Sequence, residues 1–206
     1  MNNSICILDY GSGNVKSVSN ICSSIAETIV SNDPRDILSA THVILPGVGS
    51  FGKAMEKISK LIPLDVLVDE IREKKKPFLG ICVGMQVMLS KGYEFGEWDG
   101  LNLIAGKVEL IDTKLSLPHV GWNDLNIKID NPITQGLPVD PDFYFVHSYR
   151  VTLGDREEIL AETNYGVTFP SVIRAKETNA FGVQFHPEKS QQTGRKILSN
   201  FLAVRQ

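Results

Sequence analysis

The chain has 206 residues, of which 42% are hydrophobic and 22% charged, with a formal net charge of −3. This length suits one large domain, residues 1–206, whose core needs neither disulfides nor metals. The balanced charge gives no general basis for binding nucleic acid, and the longest uncharged apolar stretch, Phe78–Leu89, is too short to span a membrane.

The chain contains three cysteines, Cys6, Cys22 and Cys82. An odd number of widely spaced cysteines, with no C-x-x-C pair, argues against a disulfide framework and against a zinc site. We therefore expect no metal site. We also expect no cofactor. The segment Met1–Ile5 lacks a basic region before its apolar run, so we expect no signal peptide and a cytoplasmic protein.

The first half of the chain alternates apolar strands with helices. Strands are predicted at 4–9, 41–46 and 77–79, and helices at 15–26, 52–61 and 64–75. This alternation indicates a parallel sheet covered by helices on both faces, as in a flavodoxin-like α/β fold. The only tight basic run, Lys74–Lys76, is better explained as a solvated helix end than as a nucleic-acid patch.

The second half predicts short strands joined by turns. They cover residues 106–112, 125–129, 143–152, 159–163, 171–175 and 181–185, followed by a last helix at 192–204. This pattern indicates an antiparallel β extension of the parallel sheet. The segment Pro118–Asn123, which contains His119, is predicted to be a loop.

A glycine-rich loop, Gly11–Asn14, follows the first predicted strand. Such a loop at a helix N-terminus can hold a phosphate. It lacks the third glycine and the acidic residue of a dinucleotide fingerprint, so a tight structural turn is the better-supported interpretation and a ligand site the weaker one.

The pentapeptide Gly80-Ile81-Cys82-Val83-Gly84 carries the clearest functional signal. It lies between a predicted buried strand and a predicted helix that begins near Met85. A nucleophile flanked by small residues at such a junction is presented on a sharp turn at the top of the sheet. The N-terminus of the following helix stabilises negative charge, which favours the reactive thiolate. We therefore predict that Cys82 is a nucleophile.

A cysteine nucleophile needs a base, and the base needs a group that orients it. Of the four histidines, only His186 has a carboxylate placed for this task. An extended backbone around Pro187 would turn His186 and Glu188 to the same side. The sequence therefore predicts a triad of Cys82, His186 and Glu188.

Acyl transfer also requires N–H donors for the oxyanion. The N–H of Val83, directly after the nucleophile, is one candidate. The loop Gly47-Val48-Gly49 is a second candidate, because it follows a predicted parallel strand and its glycines allow an N–H to turn toward the site. An ordinary strand-to-helix turn is the alternative explanation of this loop.

Three segments together resemble the triad-type, class I glutamine amidotransferases: Gly80–Gln86, His186–Ser190 and Pro46–Gly49. Three more resemble segments of the glutaminase subunits of imidazole glycerol phosphate synthase: Asp9–Asn14, Pro118–Asn123 and Tyr144–Tyr149. Each segment alone is a weak signal, but their combination is specific and runs nearly from end to end.

The resemblance implies a glutaminase reaction. Cys82 would attack the side-chain amide of glutamine, ammonia would leave, and water would hydrolyse the glutamyl thioester to glutamate. His186 would act as general base and acid, oriented by Glu188. By the same resemblance the glutamine head group and the oxyanion would be held by Gln86, Glu94 and the backbone of Gly47, Val48 and Gly49.

The resemblance further implies a heterodimer in which ammonia passes to a (β/α)₈-barrel cyclase subunit of histidine biosynthesis. That subunit would make imidazole glycerol phosphate and an aminoimidazole carboxamide ribotide. Trp122 and Asn123 would lie near the subunit interface and Lys189 near the ammonia exit. Such subunits are poor glutaminases alone, and a turn of the Val48 amide into the oxyanion hole would activate them.

Three alternatives remain open at this point. Paralogous glutaminase subunits supply ammonia to sugar amidotransferases of surface polysaccharide synthesis, and the segments Leu117–Asp124 and Glu97–Gly100 would fit either group. A cysteine peptidase or hydrolase of related fold would use the same turn around Cys82, but it fits the other motifs poorly. A binding protein with an inactive site is disfavoured by the intact triad residues.

Overall fold

The computed structural model describes residues 3–206; Met1 and Asn2, the first residues of the segment considered for a signal peptide, lie outside that range. Strands are β1 (Ser4–Ile7), β2 (Glu27–Val30), β3 (His42–Leu45), β4 (Phe78–Ile81), β5 (Leu89–Gly92), β6 (Trp98–Asp99), β7 (Ile104–Leu110), β8 (His119–Asp124), β9 (Asn126–Ile127), β10 (Asp142–His147), β11 (Tyr149–Leu153), β12 (Ile159–Asn164), β13 (Thr168–Arg174) and β14 (Ala180–Val183). Helices are α1 (Val15–Ser23), α2 (Pro34–Ser39), α3 (Phe51–Leu61), α4 (Leu64–Arg72), α5 (Val83–Gln86) and α6 (Gln191–Phe201).

The largest sheet has eight strands in the order β2-β1-β3-β4-β14-β13-β12-β9. The first five pair in parallel, in the strand order of the flavodoxin-like, doubly wound fold. Strands β13, β12 and β9 continue the sheet in antiparallel pairs. The predicted fold class, a mostly parallel sheet with an antiparallel extension in the second half, is therefore confirmed.

Burial explains why the first half was predictable. Every residue of β3 and β4 is buried, as expected for central strands covered on both faces. Helix α3 buries Phe51, Ala54 and Ile58, which are spaced three and four residues apart and so share one face. The core is continuous with the two smaller sheets, β10-β8 and β11-β7-β5-β6. Within residues 3–206, no helix combines the length and apolar composition that crossing a membrane requires.

Several elements differ from the prediction. Strand β2 lies at the sheet edge with its residues largely exposed, so it lacks the apolar run that marks a buried strand. Helix α2, only six residues long, and strand β5 were also not predicted. The single strand predicted at 143–152 is wrong, because the chain changes sheets at Ser148: β10 pairs with β8, and β11 pairs with β7.

The loop predicted at Pro118–Asn123 is also wrong. These residues belong largely to β8, which pairs antiparallel with β10 from His119 opposite His147 to Asp124 opposite Asp142. Pro118 and a glycine with positive φ at position 121 give the segment its loop-like composition. Its alternation of less and more exposed residues is the strand signal that the composition obscured.

The basic run Lys74–Lys76 is not a solvated helix end throughout. Helix α4 ends at Arg72, and Lys76 is buried. Its ammonium group lies 2.7 Å from the Glu70 carboxylate and donates to the carbonyl oxygens of Ile37 and Leu38 at 2.7 and 2.9 Å. Lys76 therefore joins α2 to α4, while Lys74 and Lys75 are exposed as expected.

This buried ion pair makes a stability prediction. We expect Glu70→Gln to lower the free energy of unfolding by about 3–5 kcal/mol, because it leaves the buried ammonium without its counter-charge. Urea unfolding would measure the loss. The matched control is Glu97→Gln, which breaks the exposed Lys91–Glu97 pair and should cost little. Equal losses in the two variants would contradict the prediction.

Candidate active site

The predicted nucleophile lies on a strained turn between β4 and α5. Cys82 has φ 54° and ψ −109°, a conformation that residues other than glycine rarely adopt. Its N–H donates to the carbonyl of Val183 on the neighbouring strand β14 at 2.8 Å. A Cβ at Gly84 would collide with the Leu45 carbonyl of β3. Glycine is therefore required where the turn packs against the sheet, as the sequence predicted.

The structure brings His186 and Glu188 together. Nδ1 of His186 lies 2.8 Å from Oε1 of Glu188, and both side chains are fully buried. The backbone is not extended as predicted, because Pro187–Lys189 form a 3-10 turn in which the Lys189 N–H donates to the His186 carbonyl at 3.0 Å. A tight turn, rather than alternation along a strand, places the carboxylate at the imidazole.

His186 and Glu188 each stabilise the charged form of the other. Burial alone lowers the pKa of His186, but Cys82 and Glu188 outweigh it and raise that pKa to about 10. Burial raises the pKa of Glu188, yet its hydrogen bonds and charge interaction with His186, with a hydrogen bond from Asn14, lower it overall. Nε2 of His186 has no hydrogen-bond partner among the described residues and remains available to the Cys82 thiol.

Two residues near the triad were not predicted. Asn14 donates from Nδ2 to Oε1 of Glu188 at 3.0 Å, although the two residues are 174 positions apart. Gln184 is fully buried and donates from Nε2 to the Cys82 sulfur at 3.7 Å. Gln184 precedes His186 by two residues along the chain, and that spacing was the one available sequence signal for it.

The two candidate oxyanion donors lie side by side but differ in availability. Val83 is the first residue of α5, where a helix leaves its N–H groups without intrahelical partners. The loop Gly47-Val48-Gly49 packs against the same turn, since a Cβ at Gly47 would collide with backbone of Gly84. The Val48 N–H, however, donates to the Ser12 hydroxyl at 3.1 Å. That amide is therefore occupied by a protein group.

A cavity of about 420 Å³ opens above Cys82. Seven predicted site residues line it: Val48, Gly49, Cys82, Val83, Gln86, Glu94 and Lys189. Tyr149, which was not predicted, forms part of the wall. A larger hollow of about 650 Å³ lies around Asn123–Lys128 and is lined by none of the predicted triad residues. We therefore assign the candidate active site to the smaller cavity.

Gln86 and Glu94 both line the cavity, and each uses some of its polar atoms in hydrogen bonds to the protein. Nε2 of Gln86 donates to the Tyr149 carbonyl and to Oε1 of Gln184, both at 3.2 Å, so its own Oε1 is left for a ligand. Oε2 of Glu94 accepts from the Phe51 N–H at 2.7 Å. Burial raises the pKa of Glu94, and the Phe51 bond partly offsets the effect.

The other three histidines are held neutral by burial. Burial lowers the pKa of His42 and of His119 to about 4, and that of His147 to about 3. Nδ1 of His147 lies 2.8 Å from the Tyr149 carbonyl and must donate, so its Nε2 accepts from Nδ1 of His119 at 3.2 Å. Only His186 thus combines a raised pKa with a carboxylate partner.

The predicted interface residues fall on two sides of β8. Trp122 is 45% exposed and packs edge-on against Tyr144, whose ring lies 5.3 Å below the Lys189 ammonium. This row of three side chains leads from the surface to the cavity wall. The Asn123 amide lies on the other face of the strand and donates to the Asn164 carbonyl at 2.9 Å.

Comparison with known proteins agrees with this geometry. The family described as glutamine amidotransferase class-I matches residues 6–204, so the chain belongs to the class I glutamine amidotransferases. Two curated relatives carry a more specific name than the family does. "Imidazole glycerol phosphate synthase subunit HisH" of Aquifex aeolicus (strain VF5) is 45% identical over 95% of this chain and 94% of the relative. "Imidazole glycerol phosphate synthase subunit HisH 1" of Campylobacter jejuni (strain RM1221) is 42% identical over 97% of this chain and 100% of the relative.

One solved structure has a fold similar to that of this chain. The structure of PurLQS from Thermotoga maritima matches with a TM-score of 0.77, covering 98% of this chain and 99% of that chain. Its sequence identity is 18%, so this likeness concerns the fold alone.

The histidine environments make a prediction for NMR titration. We expect no histidine to titrate near the ordinary pKa of about 6.5, because His186 is shifted upward and the other three downward. The raised pKa means that His186 stabilises the fold fully below its unfolded value and loses this contribution as the pH rises through about 10.

Glu188→Gln removes one cause of that shift and should lower the pKa of His186. The variant His186→Gln assigns the resonance. A resonance that titrates near the ordinary value and disappears in His186→Gln would contradict the prediction.

Proposed function

We propose that this protein is the glutaminase subunit of an imidazole glycerol phosphate synthase, which hydrolyses L-glutamine to glutamate and ammonia for histidine biosynthesis. The observation that carries the proposal is the buried His186–Glu188 pair beside Cys82, at a cavity of about 420 Å³. The matching HisH relatives, each more than 40% identical over nearly the whole chain, support the synthase rather than another acceptor of ammonia.

The proposed chemistry follows from the positions of the groups. The Cys82 sulfur attacks the amide carbon of glutamine, and the carbonyl oxygen takes up negative charge near the Val83 N–H. His186 gives a proton to the leaving nitrogen, the C–N bond breaks, and ammonia departs. Water, losing a proton to His186, then hydrolyses the thioester and releases glutamate. Glu188 keeps the imidazole oriented throughout.

Substrate orientation is proposed for the polar groups that remain free in the cavity. Oε1 of Gln86 can accept a hydrogen bond from the substrate, because the NH₂ group makes the bonds of this side chain to the protein. One oxygen of Glu94 is bonded to the Phe51 N–H, and the other can accept from the α-ammonium of glutamine.

We further propose that the chain acts as one domain, residues 1–206, in a cytoplasmic heterodimer with a (β/α)₈-barrel cyclase subunit. Trp122 and Asn123 are proposed at the interface and Lys189 at the ammonia exit. The support is the row of Trp122, Tyr144 and Lys189, which connects an exposed aromatic side chain to the wall of the cavity. Exposed aromatic residues are enriched in protein interfaces.

Labelling with an electrophilic glutamine analogue tests the glutaminase proposal. We expect an adduct on Cys82 alone, mapped by mass spectrometry, and slower labelling in the presence of glutamine. Burial raises the pKa of the Cys6 thiol to about 11 and that of Cys22 to about 12, so both should remain unmodified. The variant Cys82→Ala is the control. Labelling of only Cys6 or Cys22 would refute the proposed nucleophile.

Activity measurements test the role of the partner. Because the Val48 N–H is bonded to Ser12, we expect the purified protein to hydrolyse glutamine slowly and to be stimulated by the cyclase subunit. Glutamate formation is measured with the protein alone, with a cyclase subunit, and with a sugar amidotransferase subunit. Equal, fast turnover in all three would contradict the switch, and stimulation only by the sugar enzyme would favour the paralogous function.

A further inference from the structure

We propose that Ser12 and Asn14 are positioning residues that join the Val48 amide to the His186–Glu188 pair, where Val48 belongs to the candidate oxyanion loop Gly47-Val48-Gly49, called the oxyanion loop below. The inference deepens the proposed function and rests on it. It assigns a catalytic task to the loop Gly11–Asn14, for which the sequence favoured a structural turn. At one end the two residues position the Glu188 carboxylate. At the other end they position the Val48 N–H, the candidate oxyanion donor.

The hydrogen bonds of this connection have only one possible direction. The Val48 N–H can only donate, so the Ser12 oxygen accepts it at 3.1 Å. The Ser12 hydroxyl then donates to Oδ1 of Asn14 at 2.7 Å. Nδ2 of Asn14 therefore faces Glu188, whose carboxylate can only accept, at 3.0 Å. The four groups form one continuous chain of donors and acceptors.

The position of Asn14 in its helix supports a functional role. Asn14 is the residue before α1, where an asparagine side chain ordinarily accepts a hydrogen bond from the first turn. Here the side chain makes no such cap bond. It is 5% exposed and spends its amide on Glu188 and Ser12 instead. The helix thus forgoes a stabilising cap for a contact with the triad.

Ser12 can serve both orientations of the oxyanion loop. The peptide group between Gly47 and Val48 is planar, so a rotation that turns its N–H toward the cavity brings its C=O toward Ser12. A hydroxyl accepts from an N–H or donates to a carbonyl equally well. In the second state the Ser12 proton would move from Asn14 to the Gly47 carbonyl. The orientation of the oxyanion donor and the hydrogen bonding of Asn14 are therefore coupled.

The first test separates Ser12 from a structural turn residue. In Ser12→Ala the Val48 amide loses its acceptor, so we expect kcat without the partner to rise about 2- to 10-fold, the effect of one ordinary hydrogen bond. The kcat with the cyclase subunit should change little, and hydrogen exchange of the Val48 amide should become faster. Ser12→Thr keeps the hydroxyl and should restore slow exchange, and Ser17→Ala, at an exposed position of α1, is the control.

The second test uses Asn14→Asp, which keeps the shape and suits a helix N-terminus but replaces the donor to Glu188 with a second carboxylate. If Asn14 were only structural, the folded variant would keep wild-type kcat at temperatures below its unfolding transition. We expect at least a 10-fold loss of kcat with and without the partner, measured below the unfolding temperature of the variant, and an unchanged KM for glutamine. The unfolding temperature should fall, because the buried Glu188 carboxylate loses a donor and gains a like charge beside it. Asn20→Asp, exposed on the same helix, should behave as wild type.

The outcomes are distinguishable. Wild-type kcat in Asn14→Asp, or unchanged basal kcat and unchanged Val48 exchange in Ser12→Ala, would overturn the proposed connection. A wild-type protein that shows no glutaminase activity even with the cyclase subunit would instead overturn the proposed function, while the exchange measurement would still report on the Ser12 contact.

Discussion

The arrangement of this site depends on one fully buried carboxylate, that of Glu188. Glu188 is charged and its side chain is fully buried, a state that is costly unless donors surround it. Two donors converge on the same oxygen, the His186 imidazole and the Asn14 amide. One comes from the turn after β14 and the other from the loop after β1. The charge thus ties together segments that lie at opposite ends of the chain.

The strand order makes this convergence possible. Parallel pairing of β1, β3, β4 and β14 brings the carboxyl ends of all four to one edge of the sheet. The segments that leave this edge supply Ser12 and Asn14, the oxyanion loop, Cys82 and His186. In doubly wound sheets the order reverses beside the first strand, and the crevice there is where ligands bind. Here Ser12 of the loop after β1 bonds to the loop that carries Val48, and the cavity opens one strand further along, between that loop and the turn of Cys82.

An element of the fold or the site could be predicted from the sequence where residues close together in the chain encode it. The runs that became β3 and β4 are buried throughout and were found from their apolar character alone. The turn around Cys82 was predictable because Gly80 and Gly84 flank the cysteine within five residues. Exposure concealed β2, and glycine and proline concealed β8. Burial of Lys76 depends on carbonyl groups nearly 40 residues away, and the contact of Asn14 with Glu188 spans 174 residues. No local pattern encodes such contacts.

The distribution of unsatisfied polar atoms suggests where stability has been given up for function. Among the described residues, four buried side-chain atoms lack a hydrogen-bond partner: the Tyr10 hydroxyl, Nε of Arg150, Nε2 of His186 and Oε2 of Glu188. Two belong to the proposed triad, and the Tyr10 hydroxyl lies against Gly47 of the proposed oxyanion loop. Buried polar atoms are usually paired, and each exception is destabilising. Three of these four atoms lie close to Cys82 or to the loops that pack against its turn. Concentration of this kind is expected where groups must stay free for a substrate, because a fully paired site would have nothing left to offer it.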